Sequence, residues 1–501
     1  MVSGILLALA YPPADLGPLA LVALIPLLWA WQDASILSAA RDGFVFAVVF
    51  LSILMSGLVH TGYTGTVALI LAASLYYAAT GALVAAFSRR GLRSPWLTAA
   101  AWLFLESLRG RWPLGGLAWG EIGIALHNLG VARALASFGG VALVTFLVVA
   151  ANGLLLDLAT AGITRRRRAL TLGVAGLAGL LAITVVGDVA RYDPQPTGHL
   201  RVALLQGDDR ETGISEDQAA DQALTAAHFV LAAQLRGRYD LIVFPESALE
   251  YDPEEYPPIR QQIVDLAAQH HAVVLVNARY QGPNPSQIYN ANLAYAPNGQ
   301  LLGVYAKQHL VPFGEYVPFR SELSFISDLR QIPYNFTAGT RRVLFRAGGH
   351  MFGSIICYES AYAPLVRNFV RDGAQAIVVT TSDRTYGRSG IAATHVATDQ
   401  MRAAETGRPV LQAAISGETA VIDSSGRLLQ STGLFTKALI TANVETTTGE
   451  TPFVRFGEWA LAGSTLALLA AAAFLAWQAL TGEDPDPVDR PAFPESAPAG
   501  R

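Results

Sequence analysis

The chain's 501 residues are enough for two or three domains, but 52% hydrophobic and 15% charged residues, with a mean hydropathy of +0.35, exclude an ordinary soluble protein of that size. A formal charge of −4, with no stretch joining a basic face to interleaved aromatics, argues against a nucleic-acid partner. One cysteine, Cys357, excludes an intramolecular disulfide and leaves the redox compartment open.

Residues 1–190 divide into seven apolar segments near 2–10, 17–31, 43–60, 65–88, 95–107, 131–157 and 168–187, each expected to be a membrane span. The first stops at Tyr11-Pro12-Pro13 after about ten residues, whereas a helix crossing ~30 Å of hydrocarbon needs about 20. It is therefore a partial helix, or the start of the chain is misplaced. A cleaved signal peptide is the rival, without the basic leader it needs.

Basic residues set the orientation, because Lys and Arg beside short loops favour the cytoplasm. Arg41, then Arg89, Arg90 and Arg93, then Arg165 to Arg168 mark alternate loops. With the N-terminus inside, the seventh span delivers the chain outward. A domain at 199–447 is then extracytoplasmic, and an eighth helix at 457–480 returns the chain to a Pro- and acid-rich cytoplasmic tail, 482–501, expected to be disordered. The loop after the fifth span holds Trp112 and Trp119 among glycines, and places Arg109 and Arg111 on the outer side. Contact with lipid phosphates and simple anchoring are both open for these arginines. Ionisable residues otherwise lie almost wholly in loops, which disfavours a channel or transporter.

From His199 the pattern becomes that of an α/β domain. Strands are expected at LRVALLQGD, DLIVFPES, AVVLVNARY, ANLAYAP and LLGVYAKQ, the last two joined by the turn Asn298-Gly299. Helices follow the first two strands. After an aromatic-rich stretch, Tyr316 to Arg342, come HMFGSIICYES, a short helix, AIVVTTSD, a helix near Ala392 to Glu405, and closing strands. No fixed-period repeat is visible.

Three apolar strands end in residues suited to acyl chemistry: Glu246 in VFPES, Lys307 in YAKQHLVPFGE and Cys357 in IICYES. Each has an ordinary alternative, since a lone Cys is commonly a small buried hydrophobe and a Glu or Lys after a strand is usually solvated. Lysine is scarce, with only Lys307 and Lys437 against 33 arginines, which hints at a site needing a compact, titratable ammonium. A thiol of pKa about 8.5 needs a base or a cation nearby to react at neutral pH, and Glu246 and Lys307 are one of each. There is no HExxH, no cysteine pair for zinc, no GxSxG elbow and no GxGxxG fingerprint. His270-His271 suits a helix end better than a metal site. No metal or cofactor is expected.

The order Glu, Lys, Cys, with PPADLGPLA near the N-terminus, KQHLVPFGEYVPF, CYES and TTTGETPFVRFGEWA before the last span, resembles the apolipoprotein N-acyltransferases, the membrane-embedded branch of the nitrilase superfamily. The resemblance covers nearly the whole chain. It implies a polytopic α-helical membrane domain of about eight spans plus an α/β nitrilase-like αββα sandwich, in the bacterial cytoplasmic (inner) membrane. It also implies Cys357 as nucleophile, Glu246 as general base and Lys307 as the cation that stabilises the oxyanion. Glu315, Tyr358 and Glu359 become supporting residues, and Tyr289 and Asn290 are placed near the site. The implied substrates are a phospholipid acyl donor and the α-amino group of a diacylglyceryl-modified apolipoprotein, with a thioester between the two steps and a monomeric enzyme. Phe319 and Phe325, in YVPFRSELSFISDLRQIPYNF, are expected on a lid that dips into lipid, with a packed loop as the alternative. The chain departs from many relatives at Ser382 to Gly387, where they carry Asn-Asp and Trp-Phe, and at Gly213 to Ser215, where some have Trp. A tethered amidase and a catalytically silent scaffold are the rival functions.

Overall fold

The computed structural model describes residues 1–164, 167–208, 218–249, 251–322 and 335–481. The first part is a helical bundle. It runs through α1 (Val2–Leu9), α2 (Ala20–Ala23), α3 (Ile25–Trp31), α4 (Ile36–Leu54), α5 (Tyr63–Ser88), α6 (Pro95–Arg109), α7 (Gly130–Thr164) and α8 (Arg167–Val189). Among the described residues, five helices are long and apolar enough to cross a membrane: α4, α5, α7, α8 and a C-terminal helix, Trp459–Thr481.

The other three expected spans are shorter. The segment 17–31 is broken between α2 and α3, where Pro26 stands in the first turn of α3 and cannot continue a hydrogen-bonded helix. Asn152 of α7 repairs the break, accepting from Leu24 N at 2.9 Å and donating to the Ala20 carbonyl at 2.9 Å. Helix α6 has 15 residues and rises roughly 22 Å. Phe46, Tyr77 and Trp102 pack edge to face in the middle of the bundle, with Trp31 tilted against Trp102.

The sandwich follows. Its elements are β1 (Gln195–Gln206), α9 (Gln218–Ala232), β2 (Leu241–Val243), α10 (Pro257–His270), β3 (Val273–Gln281), β4 (Ile288–Tyr295), β5 (Leu301–Ala306), β6 (Leu344–Ala347), β7 (His350–Ile356), α11 (Ala363–Arg371), β8 (Ala376–Thr381), α12 (Ile391–Thr406), β9 (Val410–Ala414), β10 (Ala420–Ile422), β11 (Leu428–Ser431) and β12 (Ala438–Thr448). Helices α13 (Pro452–Phe456) and α14 (Trp459–Thr481) close the described chain. Two six-stranded sheets form, in the orders β12-β1-β2-β3-β4-β5 and β11-β10-β9-β8-β7-β6. The central pairs β1·β2, β2·β3, β7·β8 and β8·β9 are parallel. Their strands are the unbroken apolar runs of the sequence, as strands covered on both faces must be.

Leu204, Val243 and Leu275 from one sheet and Ile355, Val378 and Leu411 from the other share one apolar cluster. Helices α9 and α10 cover the outer face of the first sheet. His270 ends α10 and His271 caps it in the left-handed conformation, φ 52°.

Helix α12 joins the two halves of the molecule. Val396 and Ala403 pack into the sandwich core, while Ile391, Ala397 and Met401 pack into the bundle core. At its C-terminal end Glu405 accepts from Val141 N at 2.6 Å, the amide left unpaired where α7 is interrupted at Gly140, φ 74°. A carboxylate at a helix N-terminus is favourably placed against the helix dipole.

The bundle is more polar inside than its sequence suggests. Arg109 is 1% exposed and donates from Nη1 to the Trp119 carbonyl at 2.6 Å, while Arg111 donates to the Ser107 carbonyl and pairs with Glu458. Arg109 is therefore enclosed by protein and does not face lipid phosphates. The Gly-rich loop after α6 folds back over its end and supplies the carbonyl that Arg109 needs. Glu106 is buried on the same helix and accepts from Trp102 Nε1 and Ile122 N, each at 3.3 Å.

Candidate active site

Strand ends bring the three predicted groups together. Glu246 stands three residues beyond β2, Lys307 directly follows β5, and Cys357 directly follows β7. Lys307 is 2% exposed, with Nζ 3.4 Å from Glu246 Oε1 and 3.0 Å from Glu315 Oε1. Burial by itself lowers an ammonium pKa, but here Glu246, Glu315, Cys357 and Glu359 outweigh it and hold Lys307 well above the usual lysine range. Lys437, the other lysine, is exposed.

Asn290 of β4 organises the carboxylates. Its Nδ2 donates to Glu246 Oε1 and to Glu315 Oε1, both at 2.8 Å, and its Oδ1 accepts from Asn277 Nδ2 at 2.8 Å. Glu246 Oε2 accepts from Ser382 N at 3.1 Å, a contact from the second sheet to the first. Glu315 Oε2 accepts from Val311 N at 2.8 Å, which folds its own loop around it.

Cys357 is 8% exposed and opens a 3-10 turn, Cys357–Ala361, with φ 53°. A non-glycine residue held in the left-handed region is uncommon and concentrates at functional sites. Burial and the Glu246 carboxylate raise the thiol pKa well above its usual range, against the pull of Lys307. The resting side chain is a neutral thiol beside a carboxylate.

Glu359 ties the Cys357 turn to the Lys307 loop. Its Oε1 accepts from Gln308 N at 2.7 Å and His309 N at 3.1 Å, its Oε2 from Ile356 N at 2.9 Å, and both from Tyr305 Oη at 2.9 Å. Burial nevertheless outweighs these donors and Lys307, and pushes its pKa up to about 7. Tyr358 turns the other way, into the bundle loop, where Ala118 N donates to its hydroxyl at 2.6 Å. Trp119 lies 5.8 Å from its ring, and Tyr362 Oη donates to the Gly115 carbonyl at 3.1 Å.

The remaining expectations divide. Asn290 is in the site, but Tyr289 packs on the outer cluster beneath the first sheet's helices, because neighbouring residues of a strand face opposite sides. Phe319 is exposed with φ 52°, as is Phe313 with φ 60°. Phe325, Tyr334 and Gly213 to Ser215 lie outside the described residues.

Two residues that the sequence reading passed over complete the site. His395 of α12 sits beneath the nucleophile turn, with Nε2 3.2 Å from the Cys357 carbonyl and 2.9 Å from Ser360 Oγ. Asp383 places both carboxylate oxygens 3.3 Å from Nδ1 of the same ring. The available signal was a histidine on a helix buried along nearly its whole length.

A model of the carbon-nitrogen hydrolase family matches residues 201–453, and one of the apolipoprotein N-acyltransferase N-terminal domain matches residues 3–154. The apolipoprotein N-acyltransferase of Methylococcus capsulatus is 31% identical, over 92% of this chain and 93% of its own. The chain belongs to the apolipoprotein N-acyltransferase family. The Geobacter metallireducens member is 29% identical, over 95% of this chain and 94% of its own. Among solved structures, a CN-hydrolase superfamily protein of Xanthomonas campestris is 20% identical and covers 55% of this chain and 97% of its own, with a TM-score of 0.38. A nitrilase-superfamily amidase variant from Nesterenkonia is 19% identical, at 50% and 92% coverage, with a TM-score of 0.37.

This family member thus joins a membrane-type helical bundle to a nitrilase-like sandwich. The segment Ser382 to Gly387 supplies the Ser382 amide on Glu246 and the Asp383 carboxylate on His395. Tyr386, at the end of that segment, packs against the bundle core.

Proposed function

We propose that this acyltransferase moves an acyl chain from a phospholipid to Cys357, and from Cys357 to the α-amino group of a diacylglyceryl-modified apolipoprotein. The observation that carries the reading is the Lys307 ammonium held between two buried carboxylates, 3.4 Å from Glu246 and 3.0 Å from Glu315, beside the chain's single cysteine.

In the first step Glu246 takes the thiol proton as sulfur attacks the ester carbonyl carbon. Negative charge grows on the carbonyl oxygen, where Lys307 stabilises it. The carbon–oxygen bond breaks, the lysophospholipid alkoxide takes the proton from Glu246, and a thioester remains. In the second step the neutral amine attacks the thioester and Glu246 accepts its surplus proton. The carbon–sulfur bond breaks, the proton returns to sulfur, and an amide is released. An α-amino group has a pKa of about 7.7 to 8.0, so a usable fraction is neutral at physiological pH. Glu315 and Asn290 orient the two reacting polar groups, and Glu359 fixes the Cys357 turn against the Lys307 loop. Tyr358 anchors the turn to the bundle loop.

The membrane arrangement belongs to the same proposal. Residues 1–190 and 457–480 are embedded in the cytoplasmic membrane, the domain at 199–447 lies on its outer side, the C-terminus is cytoplasmic and the enzyme is a monomer. The basic loops support this orientation. Lipid on one side of the site keeps water from the thioester.

The test incubates purified protein with acyl-labelled phospholipid, traps the thioester, and adds a diacylglyceryl-cysteine peptide. Labelled amide is expected. Labelled free acid would assign a hydrolase, and no label on the wild-type protein would assign a silent scaffold. Cys357→Ser is expected to abolish the trapped thioester, and label persisting there would overturn the nucleophile.

A further inference from the structure

We infer that His395 is a positioning residue, an imidazolium clamped between Asp383 and the Cys357 carbonyl that holds the nucleophile turn in its left-handed conformation. This rests on Cys357 being the nucleophile, and it assigns roles to two residues that take no part in the steps above.

The geometry favours the doubly protonated ring. Nδ1 faces the two Asp383 oxygens at 3.3 Å, and Nε2 faces the Cys357 carbonyl at 3.2 Å. Both partners are acceptors. A neutral ring has one N–H. Held at Nδ1 toward Asp383, it would leave Nε2 to accept from the Ser360 hydroxyl at 2.9 Å while turning its lone pair on the Cys357 carbonyl. The doubly protonated ring donates to both Asp383 and that carbonyl. Burial works against that charge, but Asp383, its hydrogen bond, and Asp399 one turn along α12 prevail and push the His395 pKa up to about 9. Asp383 is itself held, accepting from Thr381 Oγ1 at 3.1 Å. The bundle closes the site with an uncharged group, the Trp119 ring at 5.6 Å, edge to face.

The clamp has a task because Cys357 is strained. A left-handed β-carbon-bearing residue returns to ordinary dihedrals unless its surroundings over-determine it. On one side of Cys357, Ile356 N is bonded to Glu359. On the other, the Cys357 carbonyl and the Ser360 hydroxyl both converge on His395 Nε2. Asp383 follows directly on Ser382, whose amide bonds to Glu246. One strand end therefore fixes the base directly and the nucleophile through His395.

Two substitutions separate this role from simple core filling. In His395→Gln the amide nitrogen reaches the position of Nε2 and still donates to the Cys357 carbonyl. In His395→Asn it reaches only the position of Nδ1, toward Asp383. Both remove the buried cation. Full-length enzyme in phospholipid micelles is followed by intact mass for thioester formation. In parallel, Cys357 alkylation by iodoacetamide is timed, which needs the sulfur but no lipid.

Thioester formation in His395→Asn is expected to lose about 100-fold in kcat, with KM for lipid unchanged, the scale of a misplaced reacting atom. Alkylation should slow alongside it, and His395→Gln should recover most of both rates. Equal loss in the two variants, tracking their melting temperatures, would overturn the clamp, as would both remaining close to wild type. If the wild-type protein is alkylated but never acylated, the acyl-transfer reading fails, while the alkylation rates of the two variants still decide the clamp.

Discussion

The two sheets of the sandwich repeat one frame and furnish it differently. From β5 to β12, and from β11 to β6, pairing runs antiparallel twice, parallel twice, then antiparallel. Strand β1 therefore corresponds to β7, and β2 to β8. The turn after β1 holds Asp208 at φ 59°, and the turn after β7 holds Cys357 at φ 53°. Each leans on a buried histidine. Gly207 N donates to His228 Nε2 at 3.1 Å, with His228 Nδ1 2.9 Å from the Leu224 carbonyl. That ring accepts at one nitrogen, whereas the His395 ring faces acceptors at both. The backbone device is common to the two halves, and the second carries the chain's one thiol on it, with the Asp383–His395 pair beneath. The first half instead places its chemistry on side chains, Glu246, Asn290 and Lys307. In the proposed reaction one half handles protons and charge, and the other makes and breaks the bond to carbon.

Removing what the first half supplies should have the largest effect. Lys307→Met leaves Glu246 and Glu315 buried without their cation, and breaking such a pair typically costs about 3 to 5 kcal/mol. It also removes the proposed donor for the oxyanion, worth roughly 100- to 1,000-fold in rate. Thioester formation followed by mass should fall by at least that factor, and denaturant unfolding in detergent should show the lost stability. A variant as stable and as fast as wild type would remove Lys307 from the site.

The seam between the halves is tested by pH. Glu359 titrates near 4.3 in an unfolded chain and at about 7 in the folded protein. The stability lent by its neutral form is fully present below the unfolded value and is lost as pH rises through about 7, a change of about 3 kcal/mol between pH 5 and 8. Asp399 and Glu405, pushed by burial up to about 6 and about 7, titrate in the same window. Comparison with Glu359→Gln isolates the one group. Between pH 5 and 8 the wild-type protein should lose more stability than the variant by this amount, and parallel curves would show that Glu359 keeps one charge state throughout.

The sequence carries some of these features in the open and hides others. Glu246, Lys307 and Cys357 are legible because each follows an apolar run whose length fixes where a strand must stop. The repeated frame is not legible. Its loops differ in length, so the chain has no period, and equivalence appears only when hydrogen bonds define the strand order. His395 is hidden in a different way. It lies within HVATDQM on a helix, where a polar residue ordinarily faces water, but α12 has the sandwich on one side and the bundle on the other. Arg109 misleads for a related reason, since a charge rule for loops treats a loop as solvated, while residues 110–121 fold over the end of α6. Nothing near Asp383 in the sequence names its partner, and the ring 3.3 Å away gives it a role.

The smallest expected effect comes from the turn that has no thiol. His228→Gln keeps an acceptor for Gly207 N but changes the bond to the Leu224 carbonyl, and a disturbed buried hydrogen bond costs about 1 kcal/mol. The Asp208 turn carries no reacting group, so thioester formation should stay within about threefold of wild type, the spread that small stability changes produce. At His395 the Asn variant acts on Cys357 itself. If His228→Gln slowed acylation as strongly as His395→Asn, the two turns would be coupled across the sandwich, and the assignment of separate tasks to its halves would fall. If it lowers the unfolding midpoint and leaves the rate alone, the histidine supports the fold in one half, and in the other it supports the chemistry.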